Sequence, residues 1–194
     1  DPGAVGEALG GDPLLGALVR AVPGRRSPGA VDGAELASRA ILGQGITVAA
    51  ARTLAARLVA GHGTALATPQ GGITHLFPAA ADLAAVDPAL LPGTAARRAA
   101  LHLVATEIAA GRLDLDAGSD RVEAARRLLE IRGVGPWTAG YVALRALGDP
   151  DAFPPGDVAL RRALAALGGP SDARAIAALA ARWRTWRSYA VHYL

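Results

Sequence analysis

Apolar residues recur every three or four positions along most of this chain, in short runs that each follow an acidic or hydroxyl residue. That spacing places the apolar side chains on one face of a helix, and Asp, Ser and Thr are residue types that cap helix N-termini. No stretch alternates between apolar and polar residues as a half-buried strand would. The pattern therefore predicts an all-α protein, with helices that start at Asp12, Asp32, Thr47, Asp120, Asp157 and Ser171.

The same spacing predicts two further helices, near 81–86 and over 94–112, whereas 62–78 is a looser stretch without a clear element. In the helix that starts at Thr47, one buried stripe is expected, formed by Val48, Leu54 and Leu58.

Length and composition fit one domain or two small lobes. The chain has 194 residues, of which 52% are hydrophobic, and folding at this size buries roughly 70% of the surface that the unfolded chain exposes. The sequence contains no Cys, which excludes disulfides, thiolate zinc sites and Cys-bound iron–sulfur clusters. No apolar run reaches the roughly 18 residues of a membrane span and no signal peptide is visible, so a soluble cytoplasmic protein without a membrane partner is expected.

The basic residues are unusual in type rather than in number. All 20 are Arg, none is Lys, and the formal net charge is only +3. Arg suits bidentate contact with phosphate. A general drift of composition toward Ala, Gly, Pro and Arg accounts for most of these residues, however, and such a small net charge is weak evidence for a nucleic-acid partner.

The segment GVGPWTAGY, residues 133–141, joins two predicted helices. Gly133 is placed to end the first helix, and Pro136 to open the second. Two glycines around one apolar residue allow a ligand to approach the backbone, and the turn amides with the following helix N-terminus suit a phosphate bound without regard to base sequence. An ordinary αα-corner with a glycine cap explains the turn equally well.

Trp137 and Tyr141 lie four residues apart in the second helix and therefore share a face. Two rings beside an anion-binding turn could stack a flat base, although an isolated pair of this kind is more often part of a core.

Further along, a Pro-Pro-Gly run ends in Asp157 at a helix start, where the helix dipole favours the ionised carboxylate. Such a carboxylate could stabilise an oxocarbenium-like transition state or orient a water molecule, or it could simply cap the helix.

Taken together, these segments resemble the helix-hairpin-helix–GPD superfamily of DNA glycosylases. The resemblance is carried by the joint presence, in the right order, of RAILGQ, LLEIRGVGPWTAGYVALRALGDPDAFPPGDVALRRAL and RWRTWRSYA, and no single one of these motifs would be specific. It runs from about Val31 to the C-terminus. GPWTAGY, RAILGQ and RWRTWRSYA resemble the 3-methyladenine DNA glycosylase II branch in particular. The resemblance implies an enzyme that flips an alkylated purine out of double-stranded DNA and hydrolyses its N-glycosidic bond in base excision repair.

The resemblance also assigns roles to residues. Asp157 corresponds to the catalytic aspartate, Trp137 and Tyr141 to the aromatic lining of the base pocket, and Gln44 to a residue near the flipped nucleotide. Read from the sequence alone, Gln44 could equally satisfy backbone groups at a helix end. An alkylated purine carries a positive charge and a weak glycosidic bond, so no dedicated general acid is required and an aromatic pocket attracts it through cation–π contact.

In the helical hairpin, the resemblance assigns Gly133 and Gly135 to amides that hold a DNA phosphate, with Thr138 as a nearby contact. Thr138 could also be merely a first-turn residue. The backbone carbonyls that the resemblance assigns to a structural monovalent cation, Na⁺ or K⁺ bound when DNA is present, are those of Leu129, Ile131 and Val134. No cofactor is implied for catalysis.

Two features bear on the chemistry. Bifunctional relatives use a lysine amine to form a Schiff base and nick the strand, and that lysine falls where this chain has Trp137, so a glycosylase without lyase activity is expected. Relatives place an apolar wedge directly after the glutamine, but here Gly45 follows, so Ile46 is the candidate wedge. Relatives also carry an N-terminal α/β domain and a pocket aromatic that would fall outside residues 1–194.

The predicted fold has two helical lobes with the active site in the cleft between them. Residues 1–31 are expected to pack on the C-terminal lobe of 151–194, and 32–150 to form the lobe that contains the helix-hairpin-helix at about 121–147. Trp183 and Trp186 are expected to pack between lobes. The four histidines, read as surface or satisfied residues without metal-ligand spacing, are His62, His75, His102 and His192.

The protein is expected to be a bacterial monomer that is associated with the nucleoid. The main alternative is a non-catalytic module that binds damaged or distorted DNA, which Gly45 favours and which the combination of Asp157 with both aromatics opposes. A purely structural helical domain is a second alternative, and it predicts no salt-dependent DNA binding.

Overall fold

The computed structural model describes residues 2–194, which form eleven α-helices, two short 3₁₀ helices and one β-hairpin. The helices are α1 (Pro2–Gly10), α2 (Gly16–Ala21), α3 (Gly33–Leu42), α4 (Val48–His62), α5 (Ala80–Ala85), α6 (Ala95–Ala109), α7 (Arg121–Glu130), α8 (Pro136–Arg145), α9 (Val158–Ala166), α10 (Ala173–Ala180) and α11 (Arg187–Tyr193). The strands are β1 (Ala65–Gln70) and β2 (Ile73–His75), and the 3₁₀ helices are Pro88–Leu90 and Ala181–Trp183.

Side-chain caps fix most helix starts where the sequence predicts them. The carboxylates of Asp32, Asp120 and Asp157 and the hydroxyl of Thr47 each accept a hydrogen bond from a backbone N–H in the first helical turn. At α10 the predicted cap is wrong by one residue. Asp172, not Ser171, accepts the bond from the Ala175 amide at 2.9 Å, and the sequence offers two good capping residues side by side.

Asp12 does not start a helix directly. Its Oδ1 accepts hydrogen bonds from the amides of Leu14 and Leu15, at 2.9 and 3.1 Å, and so closes a turn. Helix α2 begins only at Gly16.

The looser stretch of the sequence contains the β-hairpin. β1 and β2 pair antiparallel around Gly71, which has a φ of +59°, and most residues of both strands are exposed. With no buried face, these strands have no reason to alternate apolar and polar residues, which is why the pattern does not reveal them. The prediction of a predominantly helical fold is confirmed.

Two separate hydrophobic cores organise the chain. The first runs from Ala37 to Ala152 and includes Leu58, Leu101 and Val142, each fully buried. The predicted stripe on α4 is correct for Leu58 but wrong for Val48, which is 68% exposed because the first turn of α4 extends beyond this core.

The second core joins the two ends of the described chain. Val5, Leu9 and Val19 from the N-terminal helices pack with Leu164 and Trp183 from the C-terminal ones. Trp183 is 1% exposed, and its indole Nε1 donates to Asp12 Oδ2 at 3.0 Å. The division into lobes at residues 31 and 150 remains a prediction.

Candidate functional site

The turn between α7 and α8 uses its two glycines differently. Gly133 has a φ of +93°, and a Cβ there would lie 2.8 Å from the Ala100 Cβ, so folding itself requires glycine. Gly135 has a φ of −99°, which any residue adopts, and a Cβ there would meet no atom within 4 Å. Nothing in the described structure therefore requires glycine at position 135 on steric grounds.

Gln44 ties this turn to the loop between α3 and α4. Its Nε2 donates to the Gly133 carbonyl at 3.0 Å and to the Thr138 hydroxyl at 2.8 Å. Thr138 is 2% exposed, so its side chain lies inside the protein and supports Gln44 rather than facing solvent. The backbone-satisfying role that the sequence left open for Gln44 is therefore present in the structure.

The loop that follows Gln44 makes a sharp turn at the protein surface. Gly45 has a φ of +63° and is exposed, and Ile46 follows it. Arg97, which lies on α6, donates a hydrogen bond from Nη2 to the Gln44 carbonyl and so attaches the loop to α6. A positive φ favours glycine at position 45, and Ile46, the next residue, is an apolar side chain that lines the cleft.

Three side chains form a ladder along α8 at four-residue intervals. The rings of Trp137 and Tyr141 stack in parallel, with centroids 5.4 Å apart and planes inclined by 8°. The Arg145 guanidinium lies 5.9 Å from the Tyr141 centroid. The rings are too close for a base to enter between them, so a stacked base has to use an outer face of the pair.

Asp157 is held at the start of α9 by two hydrogen bonds. Its Oδ1 accepts from the Leu160 amide at 3.0 Å and its Oδ2 from the Trp137 indole Nε1 at 2.8 Å. Each carboxylate oxygen keeps a lone pair for a further partner. The capping role and an orienting contact with the ring ladder thus coexist in one side chain.

These groups meet at one open cleft of about 1020 Å³. Its walls are the α3–α4 loop, the α7–α8 turn and the start of α9. The predicted site residues that line it are Gln44, Ile46, Gly133, Gly135, Trp137, Thr138 and Asp157. Tyr141 lies behind Trp137, on the walls of two smaller pockets of about 400 and 220 Å³.

Sequence reasoning missed Arg162, which lines the same cleft. Arg161 and Arg162 are adjacent, and helical spacing alone does not say which of them faces the cleft. With Asp157 and Arg162, the cleft carries one acidic and one basic side chain among mostly apolar walls.

The carbonyls predicted to hold a cation flank the α7–α8 turn. The Ile131 carbonyl accepts a hydrogen bond from the Val134 amide at 3.0 Å, which leaves it one lone pair. The cation site, with Leu129, remains a prediction.

The reading of all four histidines as surface or satisfied residues is wrong for two of them. His102 Nδ1 and His192 Nε2 are both buried without a hydrogen-bond partner in the structure. Burial, together with the nearby Arg145 and Arg25, lowers the pKa of His192 below its ordinary value. The neutral imidazole is the form that this environment favours.

Two absences apply to the described residues. Among residues 2–194 no three His, Cys, Asp or Glu side chains come together as a metal site. No helix over that range is long and apolar enough to cross a bilayer.

The fold is that of known DNA glycosylases. An 8-oxoguanine glycosylase/lyase from Clostridium acetobutylicum, solved with double-stranded DNA, superposes with a TM-score of 0.81 at 22% identity and covers 100% of this chain and 68% of that one. The 3-methyladenine DNA glycosylase from Archaeoglobus fulgidus gives 0.79 at 23% identity, with the same coverage. At these identities the likeness establishes the fold. No protein-family profile matches the chain.

Sequence relatives narrow the class. Over all 194 residues the chain is 47% identical to a Mycobacterium tuberculosis protein named "Probable bifunctional transcriptional activator/DNA repair enzyme AlkA", of which it covers 39%. It is 38% identical over 183 residues to DNA-3-methyladenine glycosylase 2 of Escherichia coli. That match covers 93% of this chain and 63% of the E. coli protein. The chain thus spans between two fifths and two thirds of the length of these relatives.

The chain is thus similar in fold to DNA glycosylases. Its homologues carry the names AlkA and DNA-3-methyladenine glycosylase 2, and the second is the branch that the sequence motifs resemble.

Proposed function

We propose that this chain is a DNA N-glycosylase that releases alkylated purines from double-stranded DNA and leaves the sugar–phosphate backbone intact. The observation that carries the proposal is the meeting of Asp157 and Trp137 in one open cleft beside the glycine turn. The names of its homologues support alkylated bases as the substrate class. A bound DNA phosphate would lie on the Gly133–Gly135 amides, and the flipped base would lie against the outer face of Trp137.

The cleft suits a flat, cationic base. The pocket beside it, of about 400 Å³, is lined by both rings of the ladder, by apolar side chains and by Arg39 and Arg52. Pockets of roughly 300–1,000 Å³ are typical of small-ligand sites. A purine alkylated at N3 or N7 carries positive charge, which an electron-rich indole attracts by roughly 0.5–2 kcal/mol. Among the described residues that line the cleft, Asp157 is the one acidic side chain, which fits a leaving group that needs no protonation.

Asp157 supplies the negative charge next to the sugar. Breaking the glycosidic bond moves the electron pair to the base and leaves an oxocarbenium-like cation on the deoxyribose. A carboxylate fixed by the Leu160 amide and the Trp137 indole is oriented before the reaction, and such preorganised groups cost no reorganisation in the transition state. Its remaining lone pairs can also align the water that completes the hydrolysis.

The absence of lyase activity is part of the proposal. Strand nicking through a Schiff base requires an amine nucleophile, and the 194 residues contain no Lys. At the helical-hairpin position of the lyase lysine stands Trp137, which is itself engaged with Asp157.

The test compares the wild-type chain with the Asp157→Asn variant on a methylated duplex. Asn retains the helix cap, so the variant is expected to keep the wild-type melting temperature and duplex affinity. Base release is expected to fall by about two orders of magnitude or more, the range for loss of a key electrostatic group. Strand breaks are expected only after alkali treatment.

Two outcomes would contradict the proposal. Duplex binding without any base release by the wild-type chain would favour the lesion-binding module instead. Strand breaks before alkali treatment would contradict the monofunctional reaction, since they would require an amine other than lysine.

A further inference from the structure

We infer that Arg187 is a positioning residue for the proposed reaction, which it affects by holding the loop that carries Asp157. This inference rests on the proposed function of the cleft. The Asp157 loop is defined here as residues 149–157, between α8 and α9. Arg187 is the first residue of α11 and is not among the residues that line the cleft.

Arg187 is attached to the loop by a bidentate ion pair with Asp151. Its Nε donates to Asp151 Oδ1 and its Nη2 to Asp151 Oδ2, both at 2.8 Å. The two side chains are 25% and 24% exposed, so water screens this pair less than an open surface pair. A two-point contact between a planar guanidinium and a carboxylate fixes orientation as well as distance.

Ser188, the next residue, makes hydrogen bonds to the backbone of the same loop. Its amide donates to the Pro150 carbonyl at 3.0 Å, and its hydroxyl lies 2.5 Å from the Asp149 carbonyl and 3.0 Å from the Ala152 carbonyl. Ser188 is fully buried. The first half of the loop is therefore attached to the start of α11 by side-chain and backbone bonds together.

The second half of the loop rests on α8. A Cβ at Gly140 would lie 2.8 Å from the Phe153 carbonyl oxygen and 3.1 Å from the Pro154 Cα, and both are backbone atoms. Gly140 stands between Trp137 and Tyr141 in the sequence, so the loop contacts α8 at the same level along the helix as the two rings. Glycine at this helical position lets the loop backbone approach more closely than any other residue would.

The loop is thus held between α11 on one side and α8 on the other, and Asp157 follows three residues after Pro154. The 2.8 Å bond from Trp137 Nε1 to Asp157 Oδ2 depends on that placement. Reaction rates depend on placement at this scale, since an error of about 1 Å can cost roughly a hundredfold. Loosening Arg187 is therefore expected to slow base release while the DNA-binding surface of the α7–α8 turn stays intact.

The experiment uses Arg187→Met, which removes the fork, and Arg187→Lys, which restores one contact. Arg112→Met is the matched control, because Arg112 makes the same kind of fork with Glu107, at 2.9 and 2.7 Å, away from the cleft. Single-turnover base release from a methylated duplex is expected to fall roughly 10- to 100-fold in Arg187→Met. Arg187→Lys should recover part of that rate, and Arg112→Met should match the wild type.

Affinity for a duplex that contains an abasic site separates positioning from general damage. In Arg187→Met it is expected to stay within twofold of the wild-type value, since the Gly133–Gly135 turn is untouched.

A second readout does not depend on activity. The indole N–H of Trp137 bonds to Asp157, and that of Trp183 bonds to Asp12 in the second core. In ¹H–¹⁵N spectra, Arg187→Met is expected to shift the Trp137 indole signal, assigned with Asp157→Asn, and to leave the Trp183 signal in place. Gly140→Ala should do the same and slow base release, although Ala is the better helix former.

Several results would overturn the inference. One is an Arg187→Met variant that releases base at the wild-type rate. Another is a parallel loss of base release, abasic-site affinity and melting temperature with both indole signals shifted, which would mark a purely structural role. If the wild-type chain releases no base, the proposed function fails, and the positioning role of Arg187 is then tested by the indole signals alone. An unmoved Trp137 signal in Arg187→Met then overturns the positioning role, and a shift confined to it supports that role.

Discussion

The Trp137 indole and the Asp157 carboxylate are joined by a 2.8 Å hydrogen bond across twenty residues of sequence. The bond links the ring ladder of α8 to the cap of α9, because the other carboxylate oxygen accepts from the Leu160 amide. A base-stacking surface and a charged group are thereby set at a fixed separation. In the proposed reaction, that separation decides how far the sugar lies from the carboxylate when the base reaches the ring.

Trp137→Phe is expected to keep an aromatic surface and lose the donor. A hydrogen bond to a charged group is worth about 1.5–3 kcal/mol, so base release should slow by roughly ten- to a hundredfold, with a smaller change in duplex affinity. Single-turnover kinetics on a methylated duplex measure this. Trp186→Phe, in the second core, serves as the control, and equal slowing in both variants would count against a specific role for the indole N–H.

The two glycines of the α7–α8 turn should respond differently to alanine. Gly133→Ala meets Ala100 and forces a positive φ on a residue with a Cβ, so its free energy of unfolding should drop by about 1–3 kcal/mol. Gly135→Ala fits without strain and should leave stability unchanged, yet weaken duplex binding by about tenfold, the loss of one charge-assisted bond. Urea unfolding and fluorescence anisotropy test the pair. Unchanged duplex affinity in Gly135→Ala would exclude a phosphate at this amide.

Ile46 is expected to fill the space left by a flipped nucleotide. Ile46→Ala should slow base release from a duplex by about tenfold while release from a methylated single strand is unchanged, since unpaired bases need no wedge. Val48→Ala provides the control, because Val48 is an exposed apolar residue on the same cleft wall. Equal effects on duplex and single strand would assign Ile46 to the base pocket instead.

His192 should make stability depend on pH below neutrality. Its pKa is lowered from 6.5 by burial and by Arg145 and Arg25, so the unfolded chain binds the proton more readily than the folded protein. Its contribution to the free energy of unfolding is therefore fully present above pH 6.5 and decreases as the pH falls below that value. In urea titrations at pH 7.5 and 5.5, His192→Gln should lose less stability than the wild type. Identical losses would show that folding does not lower the pKa of His192.

The helices and their caps were predictable from local pattern, because an Asp or Thr before an apolar run acts within one turn of itself. The gathering of Gln44, Trp137 and Asp157 at one cleft came from the family resemblance, since nothing local relates positions so far apart. Arg187 was visible only as part of the RWRTWRSYA motif. Its partner, Asp151, is one of several aspartates around the loop, and only the fold selects it.

The exceptions have physical causes as well. The sequence does not predict the β-hairpin, because neither of its faces is buried. It predicts a buried Val48 that is in fact exposed, because helical periodicity does not say where a core ends. For His102 and His192 the sequence does not predict an unpartnered ring nitrogen, because the partners of a side chain depend on the tertiary fold.

The contact between Asp12 and Trp183 imposes an order on synthesis. The two residues are 171 positions apart, so the second core cannot close until almost all of this segment has left the ribosome. The buried side chains of the first core lie between Ala37 and Ala152, and from the last forty residues only the partly buried Val191 packs against them. A nascent chain can therefore assemble most of one lobe while α1 and α2 still have their apolar faces uncovered, and that interval is when this segment is most exposed to aggregation and to chaperones.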